Sequence, residues 1–424
     1  MDINNQKVTF LLSFGHTGID WLHSLFDSHP QILIMPCFSF YRSWKILNAD
    51  LAETSDAMHD IWINYFNSKG MQSKESKQFY NVEEMERFSS KFLENLVAKG
   101  IGRKETFWSI IQSYAWAKNI DFNQINTVIE HEHASFPYQE IFKDFTEPKI
   151  IMIYRDPRAS IAGFYKGINK KYANWPDIYE YYINMSLEEW MNSCDLFRMY
   201  KYQLDNRLKL VKNEELSRNT KQEMLKIAKW LQIDYNDSLI KSTYPSGIEW
   251  VPDSCYLTKE EYNNIEKFPE PIDKFFDPAR AKKRWLNVLM DKRDILMIEF
   301  LFNDIMKEFG YKRITPNTIF TKLKGFFYYL LPHRGTNRFK YYPADKKEVE
   351  RVKERLIALD KKISLVIWNI FPVRIQSYLI NINAILNHLI IYFIPRNRWQ
   401  RYDNPKTEIS YRIMPQKSSE VSES

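Results

Sequence analysis

The chain has 424 residues, 44% of them hydrophobic and 16% aromatic, which allows a large core and excludes a generally disordered chain. Its formal net charge is +7, but the excess lies in residues 314–424, with 19 Lys and Arg against 9 Asp and Glu, and the remainder is slightly acidic; this argues against nucleic-acid binding as a global property and for a local anionic partner. The three dispersed cysteines, Cys37, Cys194 and Cys255, supply neither a disulfide framework nor zinc spacing and suit a reducing, cytoplasmic setting.

No basic region with an apolar segment behind it precedes the first strand, so no signal peptide or N-terminal anchor is expected. Val8 to Phe14 is an apolar run rich in strand formers; Gly15 and Gly18 interrupt it, and Ile19 to Leu25 resumes with helical spacing. A strand, a glycine-containing turn and a helix in succession leave backbone N–H groups at the helix start, which with the helix dipole can hold a phosphate or sulfate. The turn has neither the Walker A pattern nor Gly-x-Gly-x-x-Gly, and an ordinary strand–turn–helix at a domain start stays open on this pattern alone.

Gln31 to Met35 reads as a second strand closed by Pro36, and residues 48–120 are mostly helical, with breaks near Lys69–Lys77 and Gly100–Gly102. Ile125 to Glu130 is a short strand, Pro137 to Phe145 a helix, and Lys149 to Tyr154 a continuous apolar strand of the kind buried on both faces in a parallel sheet. Pro157 sits where helices begin, and Ala159 to Tyr165 continues that helix. Ser186 to Tyr202 is helical, Leu208 to Val211 a strand, Lys221 to Leu231 a helix, and Arg284 to Phe309 one long helix ended by Gly310. Strands alternating with helices predict an α/β fold with a doubly wound, mostly parallel sheet. No internal repeat is visible, and only the Ser/Glu-rich tail after Gln416 reads as disordered.

Tyr154-Arg155-Asp156-Pro157-Arg158 follows the predicted buried strand, at the end where α/β proteins place ligands. An arginine there offers a planar fork for two phosphate oxygens; the alternative is that Arg155 and Asp156 pair and cap the next helix.

Together these segments resemble the PAPS-dependent sulfotransferases, whose P-loop-like domain binds the 5′-phosphosulfate with a Pro-Lys-Ser-Gly-Thr-Thr-Trp-like loop and the 3′-phosphate with an Arg-Asp/Asn-Pro-Arg/Lys segment. Gly15-His16-Thr17-Gly18-Ile19-Asp20-Trp21 is similar to the first and Arg155 to Arg158 to the second. Leu208 to Leu216 is similar to the family's strand ending in Tyr-Glu-Asp-Leu, and Arg280 through Trp285 with the helix to Tyr311 to its basic C-terminal segment and final helix, so the resemblance covers roughly residues 8–311. It implies that residues 15–21 cradle the phosphosulfate, with His16 in the place of the family's lysine, Asp20 in that of a hydroxyl residue, and Trp21 walling the adenine. It also implies that Arg155 holds the 3′-phosphate with Arg280, Lys282, Lys283 and Arg284. Gly163 falls where the family has a serine for that phosphate, and Ser160 lies on the same helix. A solvated helix start is the alternative for the Arg280–Arg284 cluster, and plain core for Trp21.

His131 and His133 follow a predicted strand in Val128-Ile-Glu-His-Glu-His-Ala134. By resemblance His133 is the base that takes the acceptor's proton, and His131 occupies the position of a lysine beside it. A His131/His133 metal pair and a Glu130 or Glu132 base are the competing readings.

Residues 314–415 read as a basic helical extension beyond the resemblance. Thr321 to Leu331 mixes lysines with aromatics, Lys346 to Lys362 is a charged helix, and Ile375 to Pro395 has no formally charged residue between Arg374 and Arg396. That last stretch approaches a membrane span in length, yet Gln376, Ser377, Asn381, Asn383, Asn387 and His388 share one side of a helical wheel, the pattern of an amphipathic helix. It can pack on the catalytic domain, lie on an anionic membrane, or span one. The expected activity is in-line transfer of the sulfuryl group of PAPS to a hydroxyl on a carbohydrate, glycolipid or other small molecule, with peripheral membrane contact through residues 320–400 and no nucleic-acid partner. A catalytically weakened nucleotide-binding scaffold and a kinase-like transferase are the alternatives.

Overall fold

The computed structural model describes residues 7–36, 38–69, 82–132, 139–163, 178–244, 248–249 and 292–330. Five parallel strands form its sheet in the order β2-β3-β1-β4-β5: β1 Lys7–Ser13, β2 Ile32–Ile34, β3 Thr127–His131, β4 Lys149–Tyr154 and β5 Leu208–Lys212. Every residue of β3 is buried, as are the four inner residues of β4 and all of β1 after Lys7. This is why those stretches are apolar without a break. Chain order reverses around β1, so the carboxyl ends of β1 and β4 flank the topological switch point, where open α/β sheets bind ligands.

Side-chain alternation along β1 supplies both layers. Leu11 faces a cluster with Leu22, Leu25 and Phe26 of α1 (Ile19–Phe26), Ile151 and Ile153 of β4, and Ile227 and Leu231 of a helix at Thr220–Leu231. Phe10 and Phe14 face the other way: Phe10 packs on Tyr41 and Phe145, and Phe14 on Trp190, Phe197 and Phe309, at ring separations of 5.1 to 5.9 Å. The helical stretch divides into α2 (Phe40–Ile46), α3 (Ser55–Lys69), α4 (Val82–Lys99) and α5 (Arg103–Ala117). Buried aromatics join them, among them Phe40 and Trp62, stacked at 5.4 Å. Next come α6 (Gln139–Asp144), α7 (157–163) and α8 (Ile178–Leu204). After β5 the chain forms α9 (Asn213–Arg218) and α10, the helix at Thr220–Leu231.

The long helix expected up to Phe309 is two helices over its described part, α11 (Lys292–Leu301) and α12 (Asn303–Glu308). The ladder breaks at Phe302, whose ring is buried against Trp190 at 5.5 Å. The bend lets Phe309 close on Tyr154, ring to ring at 4.1 Å. Gly310 then ends α12 at φ +75°, as its position suggested. Helix α13 (Ile319–Leu330) lies close on α11: a Cβ at Gly325 would stand 2.5 Å from the Leu296 carbonyl oxygen.

The chain divides into two units, Met1–Thr336 and Asn337–Ser424. Helix α13 belongs to the first. Of the residues singled out in the sequence, His133, the cluster Arg280 to Arg284, the segments Lys346–Lys362 and Ile375–Pro395 and the tail after Gln416 lie outside the described residues. Among the described residues no helix is long and apolar enough to cross a membrane.

Candidate active site

Between β1 and α1 the backbone turns through three positive φ angles, Gly15 (+83°), His16 (+47°) and Gly18 (+93°). At two of these positions a neighbouring side chain also lies close and would have to shift for a larger residue. A Cβ at Gly15 would stand 2.8 Å from Glu189 Cδ, and one at Gly18 would stand 2.4 Å from Asn213 Nδ2. The loop is pinned to β4 below it: Phe14 N–H (3.3 Å) and the Thr17 hydroxyl (3.0 Å) both donate to the Ile153 carbonyl. It is pinned to α7 by the Ser160 hydroxyl, which donates to the Gly15 carbonyl and accepts from the Trp190 indole at 2.9 Å. Leu22 N–H closes the first bond of α1, on the Gly18 carbonyl. The N–H groups of Ile19, Asp20 and Trp21 thus stand ahead of the helix ladder, at the positive end of its dipole.

At the end of β4 the four-residue motif splits its labour. Asp156 pairs with Arg158 rather than with Arg155 among the described residues. Its Oδ1 accepts from Arg158 N–H and Nε, both at 2.9 Å, and its Oδ2 from Nη2 at 2.7 Å. Asp156 thereby caps α7, and its carbonyl accepts from Ser160 N–H at 2.9 Å. Arg158 Nη1 reaches the fully buried Glu299 of α11 at 2.5 Å, and Nη2 the Lys312 carbonyl at 3.0 Å. Burial alone would lower the Arg158 pKa, but the hydrogen bonds and charge of Asp156 and the charge of Glu299 outweigh it and raise the pKa. Arg155, half-buried two residues past Ile153 of β4, is thus at the sheet edge beside the Gly15–Gly18 loop.

The end of β3 is built differently. Glu130 and Glu132 each accept a backbone N–H at 2.6 Å, from Phe40 and Tyr41, and the Ser39 hydroxyl donates to the His131 carbonyl at 2.8 Å. The strand therefore caps α2, and both glutamates considered as bases are fully buried in that role. Burial, with the charge of Glu132, pushes the Glu130 carboxyl well above the usual range; burial likewise pushes Glu132 up to about 8. His131 is paired with His23 of α1, Nδ1 to Nδ1 at 2.9 Å. Burial lowers His131 to about 4, and burial plus His131 lowers His23 well below the ordinary imidazole value. Both rings are therefore neutral near pH 7, one donating and one accepting. His131 Nε2 lies 4.0 Å from Asp20 Oδ1, so a proton on Nε2 and a lone pair on Nδ1 is the tautomer Asp20 favours.

The remaining candidates fall into two groups. Ile19 and Trp21 are buried in the core cluster under the sheet, so Trp21 is a packing side chain and reaches the loop through its backbone. Gly163 is exposed on α7 with nothing within 4 Å of an added Cβ. Two residues escaped the sequence reading. Glu189 of α8 lies against Gly15, and burial lifts its pKa to about 6, opposed by the charge of Arg42. Arg42 of α2 bears on Glu132 as well. A lone arginine and one glutamate of a Glu-Glu-Trp run carry no local signal.

The family model for the sulfotransferase domain matches residues 6–246. A search of curated protein sequences finds no significant match. Solved structures similar to this chain include the sulfotransferase domain from the curacin biosynthetic pathway (13% identity, 72% of this chain and 98% of that chain, TM-score 0.44). The sulfotransferase domain of the Synechococcus PCC 7002 olefin synthase is similar at 15% identity, over 74% and 98%, with a TM-score of 0.44. Mouse sulfotransferase SULT7A1, solved in complex with PAP, is similar at 14%, over 75% and 88%, with a TM-score of 0.36. With the model spanning more than half of its length, this chain belongs to the sulfotransferase domain family.

Proposed function

We propose that this protein transfers the sulfuryl group of PAPS to a hydroxyl of a carbohydrate, glycolipid or other small molecule. The observation that carries the reading is one of placement: the Gly15–Gly18 loop and Arg155 end adjacent parallel strands, and Thr17 bonds the Ile153 carbonyl two residues before Arg155. One doubly phosphorylated nucleotide can then be gripped at both ends. The backbone of residues 15–21 takes the phosphosulfate and Arg155 the 3′-phosphate, with Arg280, Lys282, Lys283 and Arg284 as its further cations. Thr17 and Ser160 serve the loop with their hydroxyls rather than the ligand.

In the reaction the acceptor oxygen attacks sulfur in line, the bond from sulfur to the bridging phosphate oxygen breaks, and the hydroxyl proton passes to His133. His16 assists the leaving phosphate as a hydrogen-bond donor. Protein catalysis of this kind is alignment plus stabilisation of charge on the leaving group. Membrane proximity would make the acceptor lipid-linked.

One observation favours a second reading, a nucleotide-binding scaffold without turnover: Asp20 in the first turn of α1 and Glu189 against Gly15 both bring carboxylates to the anion loop. Titration calorimetry with PAP, paired with transfer of radiolabelled sulfate to an acceptor panel, separates the two. Arg155→Ala should weaken PAP binding by about ten- to a hundredfold. PAP binding without transfer supports the scaffold, ATP binding preferred over PAP supports a kinase-like enzyme, and an unchanged PAP affinity in the variant removes Arg155 from the site.

A further inference from the structure

Helix α13 carries apolar and aromatic side chains on two sides, yet only one of them is covered. Gly325 and Tyr329 are buried on the side that meets α11, with the Arg293 guanidinium donating to the Tyr328 carbonyl at 3.3 Å. On the opposite side Ile319 (74% exposed), Phe320 (63%), Leu323 (47%) and Phe327 (51%) reach solvent. At 3.6 residues per turn these four fall within an arc of about 100°, the width of stripe that a helix ordinarily buries. A continuous exposed apolar stripe of this kind marks an interaction surface rather than a scatter of surface residues.

We propose that this stripe docks the protein on an anionic lipid surface. Charge selects the lipid. Between Glu308 and Asp345 the sequence has no acidic residue, while it has Lys312, Lys322, Lys324, Arg334, Arg338 and Lys340. A helix with phenylalanines and leucine on one arc and lysines beside them is the composition of an interfacial helix, whose apolar arc enters the acyl boundary while ammonium groups stay among phosphates. Lys324 brings such a charge to the arc, its ammonium 4.5 Å from the centre of the Phe320 ring. The seat of α13 on α11 presents the stripe on a fixed support, so little order has to be imposed when it docks. The inference is independent of the transferase reading, since none of these residues lies in the candidate active site.

The test is co-sedimentation of the full chain with phosphatidylcholine vesicles made with and without phosphatidylserine. The chain should bind the phosphatidylserine vesicles, and high salt should release part of it. The double variant F320S/F327S should lower the partition coefficient by about tenfold or more, and K322Q/K324Q by roughly tenfold on phosphatidylserine vesicles only. All four side chains are at least partly exposed, so the thermal midpoint should hold in both variants. Absence of binding to either vesicle overturns the proposal, as does undiminished binding by F320S/F327S. A concentration-dependent dimer that F320S/F327S converts to monomer also overturns it, in favour of a second copy on the stripe.

Discussion

The carboxyl ends of β3 and β4 lie one strand to either side of β1 and bury ionisable groups in opposite ways. At β4, Arg158 stands between Asp156 and Glu299 with bonds of 2.5 to 2.9 Å, and the group is held charged. At β3 the neighbours are like with like, glutamate beside glutamate and imidazole beside imidazole, and burial drives all four toward their neutral forms. One end is a fixed ionic latch that ties α7 to α11; the other is a neutral cluster whose protonation changes with pH. The difference teaches where each burden lies. The seat of α7 rests on an arginine whose neighbours hold it charged, and the cap of α2 rests on carboxyls that burial drives toward neutrality.

The largest break of this contrast is Arg158→Ala. It would leave Asp156 buried without its cation and Glu299 with only Arg313, at 3.7 Å, a loss of about 3–5 kcal/mol by comparison with other broken buried pairs. Urea unfolding at constant slope measures it, and Arg158→Lys, which keeps the charge but not the fork, should lose less. A loss under about 1 kcal/mol, the range of an exposed pair, would show that the latch is not structural.

The β3 end gives a smaller effect, with a sign. Unfolded, Glu132 titrates in the ordinary carboxyl range; folded, it titrates at about 8. Between those values the folded protein keeps a proton the unfolded chain has lost, so stability falls as pH rises. His131 runs the other way, since its folded value of about 4 is below the ordinary 6.5; its contribution rises with pH and is complete by about 6.5. From there to about pH 8 the carboxyls dominate the cluster, and unfolding free energy should fall by about 1–2 kcal/mol. Glu132→Gln should flatten that slope. A wild-type stability that is level or rising over the same interval would mean that Glu132 is ionised in the folded protein.

How much of this could be read in the sequence follows from the range of each interaction. The Gly15–Gly18 turn, the apolar run of β4 and the doubly wound order were legible because strand continuity and glycine position are local signals. The latch was not: Asp156 was weighed as a partner for Arg155, while its actual partner is two residues on and is completed by Glu299, 141 positions away. The His23–His131 pair spans 108 positions and carried no local signal for the same reason. The break at Phe302 was hidden because an aromatic at a helical spacing reads as helix until Trp190 is known to sit beneath it.

The smallest and most discriminating change is Gly163→Ser on α7, the helix that the latch holds in place. Gly163 is exposed, its φ is not positive, and an added Cβ meets nothing within 4 Å, so the fold should accept serine and gain about 0.5 kcal/mol in helix propensity. If the β4 end is the nucleotide side, the new hydroxyl stands where the sulfotransferase resemblance implies a serine and can donate to a phosphate oxygen. PAP affinity should then rise by roughly two- to tenfold, the yield of one added hydrogen bond. The comparison with Arg155→Ala makes the result specific: affinity lost in one variant and gained in the other places the 3′-phosphate between β4 and α7. Affinity unmoved by the serine while thermal stability rises would put the phosphate elsewhere along the sheet edge, and the cradle would then have to hold the nucleotide without help from α7.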